Sequence, residues 1–418
     1  MQPDNKQPDN KPLSHRLWRK LGKPVYNLLT LRRLRKYLRR RRQLVKLRQI
    51  ISDLEKDNPQ KVVLIFQEQF FDREGQHCYN GGAERYVRDL AQVIAQFDLT
   101  PILIQYGKDR LWKRRVNHLS VIGLPADEMS LWQEALKFFR HFELAIYSGV
   151  VPWGKELLHP NIMISHGITW DCPQKDADTA KILNDIKKCD CLVSVDTNTI
   201  SWLRSTFAKT LSKSKMAYVP NYVDLQVYHP KSKKNDGRIK IVFPRRAAKE
   251  RGYWLMSRAL KPILNKYTNV DFAFVGFAHG KEIQSDILKL EAEFGRRVMH
   301  FVYEPDEMAQ AYQNSDISLV PTLYSEGTSL SVLEAMACGN AVIATNIGGL
   351  PNLIIDGFNG VLINPDEQEL MQALDKILAD DRLRLYLAQN AQEVAKCFAK
   401  SNWEERWRKI LAANLKGK

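Results

Sequence analysis

One stretch constrains the fold of this chain more than any other: Ser325-Glu326-Gly327-Thr328-Ser329-Leu330-Ser331-Val332-Leu333-Glu334-Ala335-Met336-Ala337-Cys338-Gly339. Residues 317–320 are apolar and stop at Pro321, which reads as a buried strand. Residues 323–327 make a short polar loop. Helix-forming residues start at Thr328, and Gly339 stops them. A second apolar run, 341–345, follows at once. Strand, loop, helix and strand in this order predict a βαβ crossover in a parallel sheet.

The loop carries the chemistry. Gly327 lets the backbone turn tightly against a ligand, and Thr328 and Ser329 are residues that cap helices. The first-turn N–H groups then present a positive dipole end, which suits a phosphate. Glu326 lies before the helix and Glu334 inside it. From Thr328 to Glu334 the helix rises roughly 9 Å, enough to reach two ends of one elongated polar ligand. Taken singly, Glu334 reads as a solvated helix acid. Its neighbours Leu330, Val332, Leu333, Met336 and Ala337 leave so little polar surface that a carboxylate here needs a partner.

Glu326 and Glu334 with seven residues between them, followed by Ala-Met-Ala-Cys-Gly, resemble the E-x7-E signature of glycosyltransferase family 4. Ile347-Gly348-Gly349-Leu350-Pro351 and Asp356-Gly357-Phe358-Asn359-Gly360 fit the same pattern, and the resemblance covers roughly residues 60 to 400. It implies an α/β chain of GT-B architecture: two Rossmann-like, doubly wound domains facing a cleft. It also implies a retaining enzyme that uses a nucleotide-diphosphate sugar.

The remaining sequence fits alternating strands and helices. A first domain over 58–230 starts with the apolar run 61–67, then Asn80-Gly81-Gly82-Ala83-Glu84-Arg85 opens a helix to about 97. A lone Gly-Gly pair fits a helix start needing φ > 0 as well as it fits an anion approach. The resemblance implies that Gly81 and Gly82 face acceptor and donor phosphate. Strands are predicted at 100–106, 119–123, 144–146, 161–165 and 191–195, and a helix at 174–186 that takes in Asp176 and Asp178. His166-Gly167 follows a strand end, where open α/β sheets place ligands, and the resemblance makes His166 a sugar contact. Trp170 fits either an acceptor wall or a core position. Residues 218–230 resemble the family's segment at the close of the first domain, with Tyr222 where glycine is usual.

The second domain, 231–400, follows a polar linker over 231–238, with strands predicted at 239–243, 272–276 and 298–302. Pro244-Arg245-Arg246-Ala247-Ala248-Lys249-Glu250-Arg251-Gly252 puts four cations in seven residues directly after a strand, which argues for anion binding. The resemblance implies that Arg246 (or Arg245) and Arg251 stabilise the departing diphosphate. Arg251 stands where lysine is common, with a planar fork for a point charge. It further implies Glu326 on the sugar hydroxyls and Glu334 on the ribose diol. Glu326, His166, Arg246 and Arg251 form the catalytic set. Glu334, Gly327, Thr328, Ser329, Leu330, Arg245, Lys249 and Gly276 form the donor-binding set. Helices are predicted at 367–378 and 382–398, and a last helix from Ser401 that the architecture returns to the first domain.

Charge is unevenly placed. The first 50 residues hold 16 Lys/Arg against two Asp, out of a formal net charge of +16, so the body is nearly neutral. Residues 13–50 contain no acid, and Leu31, Leu34, Tyr37, Leu38, Leu44, Val45 and Leu47 recur among the arginines at helical spacing. The arm, 1–57, reads as a basic amphipathic helix behind a polar start, suited to an anionic membrane surface through residues 13–50. A solvated tail and a nucleic-acid arm are the competing readings. No apolar run approaches the ~20 residues of a membrane span, and no export signal is recognised. The expected setting is cytoplasmic, on the inner face of the membrane. Cys78, Cys172, Cys189, Cys191, Cys338 and Cys397 match no zinc spacing, and neither a metal nor a resident cofactor is expected. The expected partners are a nucleotide-sugar and a glycan or lipid-linked acceptor, with no specific nucleic acid. A GT-B sugar epimerase and a non-catalytic binder of membrane or nucleic acid are the alternatives.

Overall fold

The computed structural model describes residues 23–57, 62–107, 110–125, 142–149, 157–167, 179–211, 215–232, 236–305, 307–324 and 326–415. Trp170, Cys172, Asp176 and Asp178, named above, lie outside these residues, as does the start of the basic arm before Lys23.

The first sheet has eight strands: β1 (Val62–Phe66), β2 (Thr100–Gly107), β3 (Trp112–Val116), β4 (Leu119–Pro125), β5 (Leu144–Tyr147), β6 (Asn161–Ser165), β7 (Cys191–Ser194) and β8 (Lys215–Tyr218). Their spatial order is β3-β4-β2-β1-β5-β6-β7-β8, and every pairing is parallel except β3 with β4. β1, β5, β6 and β7 are buried at every residue. That is why they read as unbroken apolar runs: crossover helices cover both faces of a parallel sheet. The chain runs outward from β1 in both directions, so β1 marks the topological switch.

The second sheet is wholly parallel, in the order β11-β10-β9-β12-β13-β14. Its strands are β9 (Ile239–Phe243), β10 (Val270–Val275), β11 (Val298–Phe301), β12 (Ile317–Val320), β13 (Ala341–Thr345) and β14 (Val361–Ile363). The switch falls between β9 and β12, which pair directly. The loops leaving these two strands are the basic run 244–252 and the acidic loop 321–329. Topology thus brings together the two segments that the sequence reading marked for anion and sugar binding.

Two parts of the domain plan change. The long basic helix α1 (Lys23–Asp57) is not a separate arm throughout, because Leu47, Ile51 and Leu54 are buried in the first-domain core. Its earlier turns stand out, with Leu31, Leu34, Tyr37 and Leu38 exposed among arginines. The chain also leaves the first domain before residue 230, since Val223 and Tyr228 belong to a second-domain core. The last helix, α11 (Lys400–Asn414), does pass back to the first domain and enters its core. Trp403, Trp407 and Leu411 face inward, and Trp407 Nε1 donates to Tyr86 Oη at 2.9 Å. Val223 and Ala399 bridge where the outgoing and returning segments pass side by side. Tyr222, at the family's glycine position, donates to buried Asp89, whose carboxylate also pairs with Lys400 at 3.1 Å.

Candidate active site

The first domain contributes α2 (Gly82–Ala95) and the ends of β6 and β7. The second contributes the loops after β9 and β12, with α7 (Met308–Gln313) and α8 (Leu330–Ala337) behind them. The centre is Glu326, only 7% exposed. Its Oε2 accepts from Arg245 Nη2 at 2.9 Å, Arg251 Nη1 at 2.6 Å and Thr322 Oγ1 at 2.9 Å. Arg245 is forked, since its Nη1 donates to Thr322 Oγ1 at 2.6 Å. Burial alone would raise the Glu326 carboxyl; the two guanidinium groups override it and hold the group below its ordinary range. Two cations facing one carboxylate leave a surplus positive charge beside the first turn of α8.

Glu326, Arg245 and Arg251 line a cavity of about 330 Å³, together with Gly82, His166, Asn221 and residues 327–331. Two buried polar atoms in that lining have no hydrogen-bond partner among the described residues: Arg245 Nε and Ser329 Oγ. A buried donor left unmatched costs about 1–3 kcal/mol, so the lining is built for a group with acceptor oxygens. Ser329 occupies the helix N-cap position without making a side-chain cap bond.

Thr328 departs from its expected capping role. Its hydroxyl donates to Val195 O at 2.8 Å and accepts from Asn221 N at 2.8 Å, while Asn221 Nδ2 donates to Thr328 O at 2.6 Å. It therefore staples the acidic loop to the first domain. Asn352 adds a second staple, accepting from Thr197 N at 2.9 Å and donating to Thr197 Oγ1 at 2.6 Å. Between these, Gly327 lies against His166. A Cβ at residue 327 would sit 2.6 Å from His166 O, and one at Gly167, φ +138°, 2.9 Å from Gly327 N. Gly82 faces Leu330 in the same way, and Gly81 precedes α2.

His166 lies over the edge of Tyr86, ring centroids 5.1 Å apart, with Nε2 3.1 Å from Ser148 Oγ. Burial pushes the imidazole down to about 4, so it is neutral at pH 7. An unfolded histidine takes its proton near 6.5, the folded one near 4. Stability from the neutral ring is full above pH 6.5 and is lost as pH falls toward 4. We expect the melting temperature to drop between pH 6.5 and 4.5, and the drop to be smaller in His166→Gln. Parallel melting curves for the two proteins across this range would contradict it.

Several anticipated residues lie elsewhere. Arg246 is exposed and pairs with Glu250 at 3.3 Å, so Arg245, not Arg246, turns inward. Adjacent residues of an extended loop point to opposite sides, and spacing alone did not tell them apart. Lys249 is exposed on the turn that carries Arg251. Gly276, φ +136°, packs against the Arg245 backbone, where a Cβ would lie 2.8 Å from the carbonyl carbon; it supports the cavity wall from outside. Glu334 is 5% exposed and faces α2 and α7, not the phosphate seat. Thr322, Asn221 and Arg85 were missed. The one signal for Arg85 was the demand of Glu334 for a partner. Among the described residues no cluster of three or more His, Cys, Asp or Glu is placed to hold a metal.

With this geometry in place, comparison with known proteins becomes informative. Residues 225–394 match the family model for glycosyl transferases group 1. The matched residues contain the Arg245, Arg251 and Glu326 cluster and α8. The chain is 32% identical over 176 residues to a D-inositol 3-phosphate glycosyltransferase of Corynebacterium jeikeium, covering 40% of this chain and 41% of that protein. It is 26% identical over 220 residues to a lipopolysaccharide 1,2-N-acetylglucosaminetransferase of Salmonella typhimurium, covering 49% and 57%. The matches thus span about half the length of these curated relatives. Beyond the group 1 domain the likeness is of fold. Sucrose-phosphate synthase from Thermosynechococcus elongatus superposes with TM-score 0.69 at 20% identity, covering 85% of this chain and 100% of that one. The architecture is GT-B, with two parallel-sheet domains of which the first is mixed at its β3 edge.

Proposed function

We propose that the chain is a retaining glycosyltransferase of family 4. It moves a hexosyl or deoxyhexosyl group from a nucleotide-diphosphate donor to a hydroxyl of a glycan or lipid-linked acceptor, in cell-surface polysaccharide or lipopolysaccharide synthesis. The observation that carries this reading is the cationic seat at the start of α8, where Arg245 and Arg251 converge and Arg245 Nε and Ser329 Oγ have no partner among the described residues. A diphosphate supplies the oxygens those donors need. The barrier is breakage of the bond from the anomeric carbon to the phosphate oxygen, and fixed charges at the developing diphosphate lower it. Glu326, held by three donors, offers its other oxygen to a sugar hydroxyl. The acceptor hydroxyl attacks on the face the diphosphate leaves, and its proton passes to the departing phosphate oxygen. Neutral His166 positions the sugar and moves no proton. Both relatives are named for sugar transfer, which supports the reading. Titration calorimetry with UDP, GDP, dTDP and ADP, followed by hydrolysis of the matching nucleotide-sugars, tests it. Binding of one diphosphate and slow release of its sugar are expected; no heat with any of the four would end the proposal.

We further propose that the outer turns of α1 bind an anionic membrane surface on the cytoplasmic side. Exposed Leu31, Leu34 and Leu38 lie among Arg32, Arg33 and Arg35, and each such cation adds about 1 kcal/mol near an anionic leaflet. Among the described residues no helix is long and apolar enough to cross a membrane. The protein is expected to float with phosphatidylglycerol vesicles at low salt and to be released near 1 M salt, where screening is short-ranged. Equal flotation with neutral vesicles, or none, rejects the idea.

A further inference from the structure

Glu334 joins the two domains by a contact that the phosphate seat does not use. Its Oε1 accepts from Arg85 Nη2 at 2.7 Å, and its Oε2 accepts from Tyr312 Oη at 2.8 Å. Arg85 is on α2 of the first domain, whereas Glu334 and Tyr312 are on α8 and α7 of the second. The other terminal nitrogen of Arg85 donates to Tyr228 Oη at 3.4 Å. Tyr312 is fully buried and Tyr228 nearly so. Burial would lower the arginine, but the adjacent Glu334 carboxylate holds it above its ordinary range.

The placement matters. Gly82, three residues before Arg85, lines the cavity, so one end of α2 both faces the cavity and carries the arginine. Were the domains to meet without the guanidinium, Glu334 would be a buried charge with only the neutral hydroxyls of Tyr312 and Tyr228 beside it. Leaving one partner of a buried pair alone is strongly unfavourable. Separation of the domains would return that carboxylate to water.

We propose that Arg85 is a positioning residue: through Glu334 it helps hold the first domain against the second, beside the Thr328 and Asn352 staples, and it is the ion pair between the domains that orients a donor-side carboxylate. Its consequence for catalysis rests on the sugar-transfer reading; the closure it supports does not. With the pair made, the Gly81-Gly82 turn, His166 and the acidic loop share one cavity. With the pair broken, a nucleotide still meets the seat on the second domain, but the first domain is held against it by the Thr328 and Asn352 contacts without the charge pair.

Small-angle X-ray scattering without nucleotide tests this on the full chain. Arg85→Met is expected to have a larger radius of gyration than the parent, with unchanged circular dichroism. Arg85→Met combined with Glu334→Gln is expected to return toward the parent, because a neutral amide is far easier to bury than a lone carboxylate. Parent-like scattering from folded Arg85→Met, or a double variant as expanded as the single, overturns the proposal. Should the methionine variant be insoluble, Arg85→Gln takes its place with the same outcomes. On whichever nucleotide diphosphate binds the parent, Arg85→Met is expected to keep affinity within about threefold while kcat falls on the order of a hundredfold. Weakened binding at unchanged kcat would make Arg85 a ligand contact and also overturn it. If no diphosphate binds the parent, the sugar-transfer reading fails, and scattering still decides the role of Arg85.

Discussion

Arg245→Met is expected to lower kcat for sugar transfer by a factor on the order of 10² to 10³, the usual cost of removing one preorganised charge at a developing anion. Arg245 bonds to Glu326 and Thr322 through separate nitrogens, and its third nitrogen, Nε, is unmatched in the cavity lining. No other side chain replaces that fork. Arg245→Lys is therefore expected to rescue little, since one ammonium does not reproduce a planar, forked donor. Arg251 meets Glu326 through Nη1 alone, at 2.6 Å. Arg251→Lys is thus expected to keep activity within about tenfold of the parent. Steady-state kcat and KM with the preferred donor, with circular dichroism as the check on folding, measure both. The order of the two lysine variants decides: if Arg245→Lys is the more active, Arg245 is not the principal stabiliser of the leaving group.

A single methyl group at residue 327 is expected to have an effect nearly as large. The Cβ of Gly327→Ala would meet His166 O at 2.6 Å and Val195 Cγ2 at 2.7 Å, both on the first domain. Backbone oxygen does not move aside as a flexible side-chain tip does, so the domains themselves must separate. The Thr328 and Asn221 hydrogen bonds would stretch with them. Each domain retains its own core, so the melting temperature should change little. Misregistering the halves of a catalytic site by about 1 Å is enough for a hundredfold loss in kcat. Diphosphate affinity should change by less than about threefold, because Arg245 and Arg251 sit on the second domain. Parent-like turnover in Gly327→Ala would mean that the contact with His166 is dispensable. Together with Arg85→Met, this variant separates steric from electrostatic control of the same closure.

Most of the framework was legible because it is local. Apolar runs that end in Gly, Pro or a polar loop announced the inner strands, including β1, β6, β9, β12 and β13. The edge strand β3 was not legible: Trp112-Lys-Arg-Arg-Val116 carries three cations and is largely open to solvent. An antiparallel edge strand needs only one covered face. The short β8, a parallel edge strand nowhere fully buried, carries no apolar run and also escaped. In the site, the sequence demanded a partner for Glu334 but did not name Arg85, which lies 249 residues away. It placed Arg251 near the anion, yet favoured Arg246 over Arg245, since loop spacing does not tell which neighbour turns inward. Thr328 looked like a helix cap, and it is an interdomain staple because Asn221 and Val195 reach it first.

The amino-acid order alone therefore settled the alternation of strand and helix, the parallel inner strands of both sheets and the loops that line the cavity, because period, apolar burial and turn chemistry act within a few residues. The tertiary structure alone decided which arginine faces Glu326, how Glu334 is neutralised, and that the end of α1 belongs to the first-domain core. Those outcomes depend on buried charges and aromatic rings finding partners on the other domain or hundreds of residues away, as Trp407 does with Tyr86 across 321 positions. No local pattern encodes a distance that only the packed chain creates.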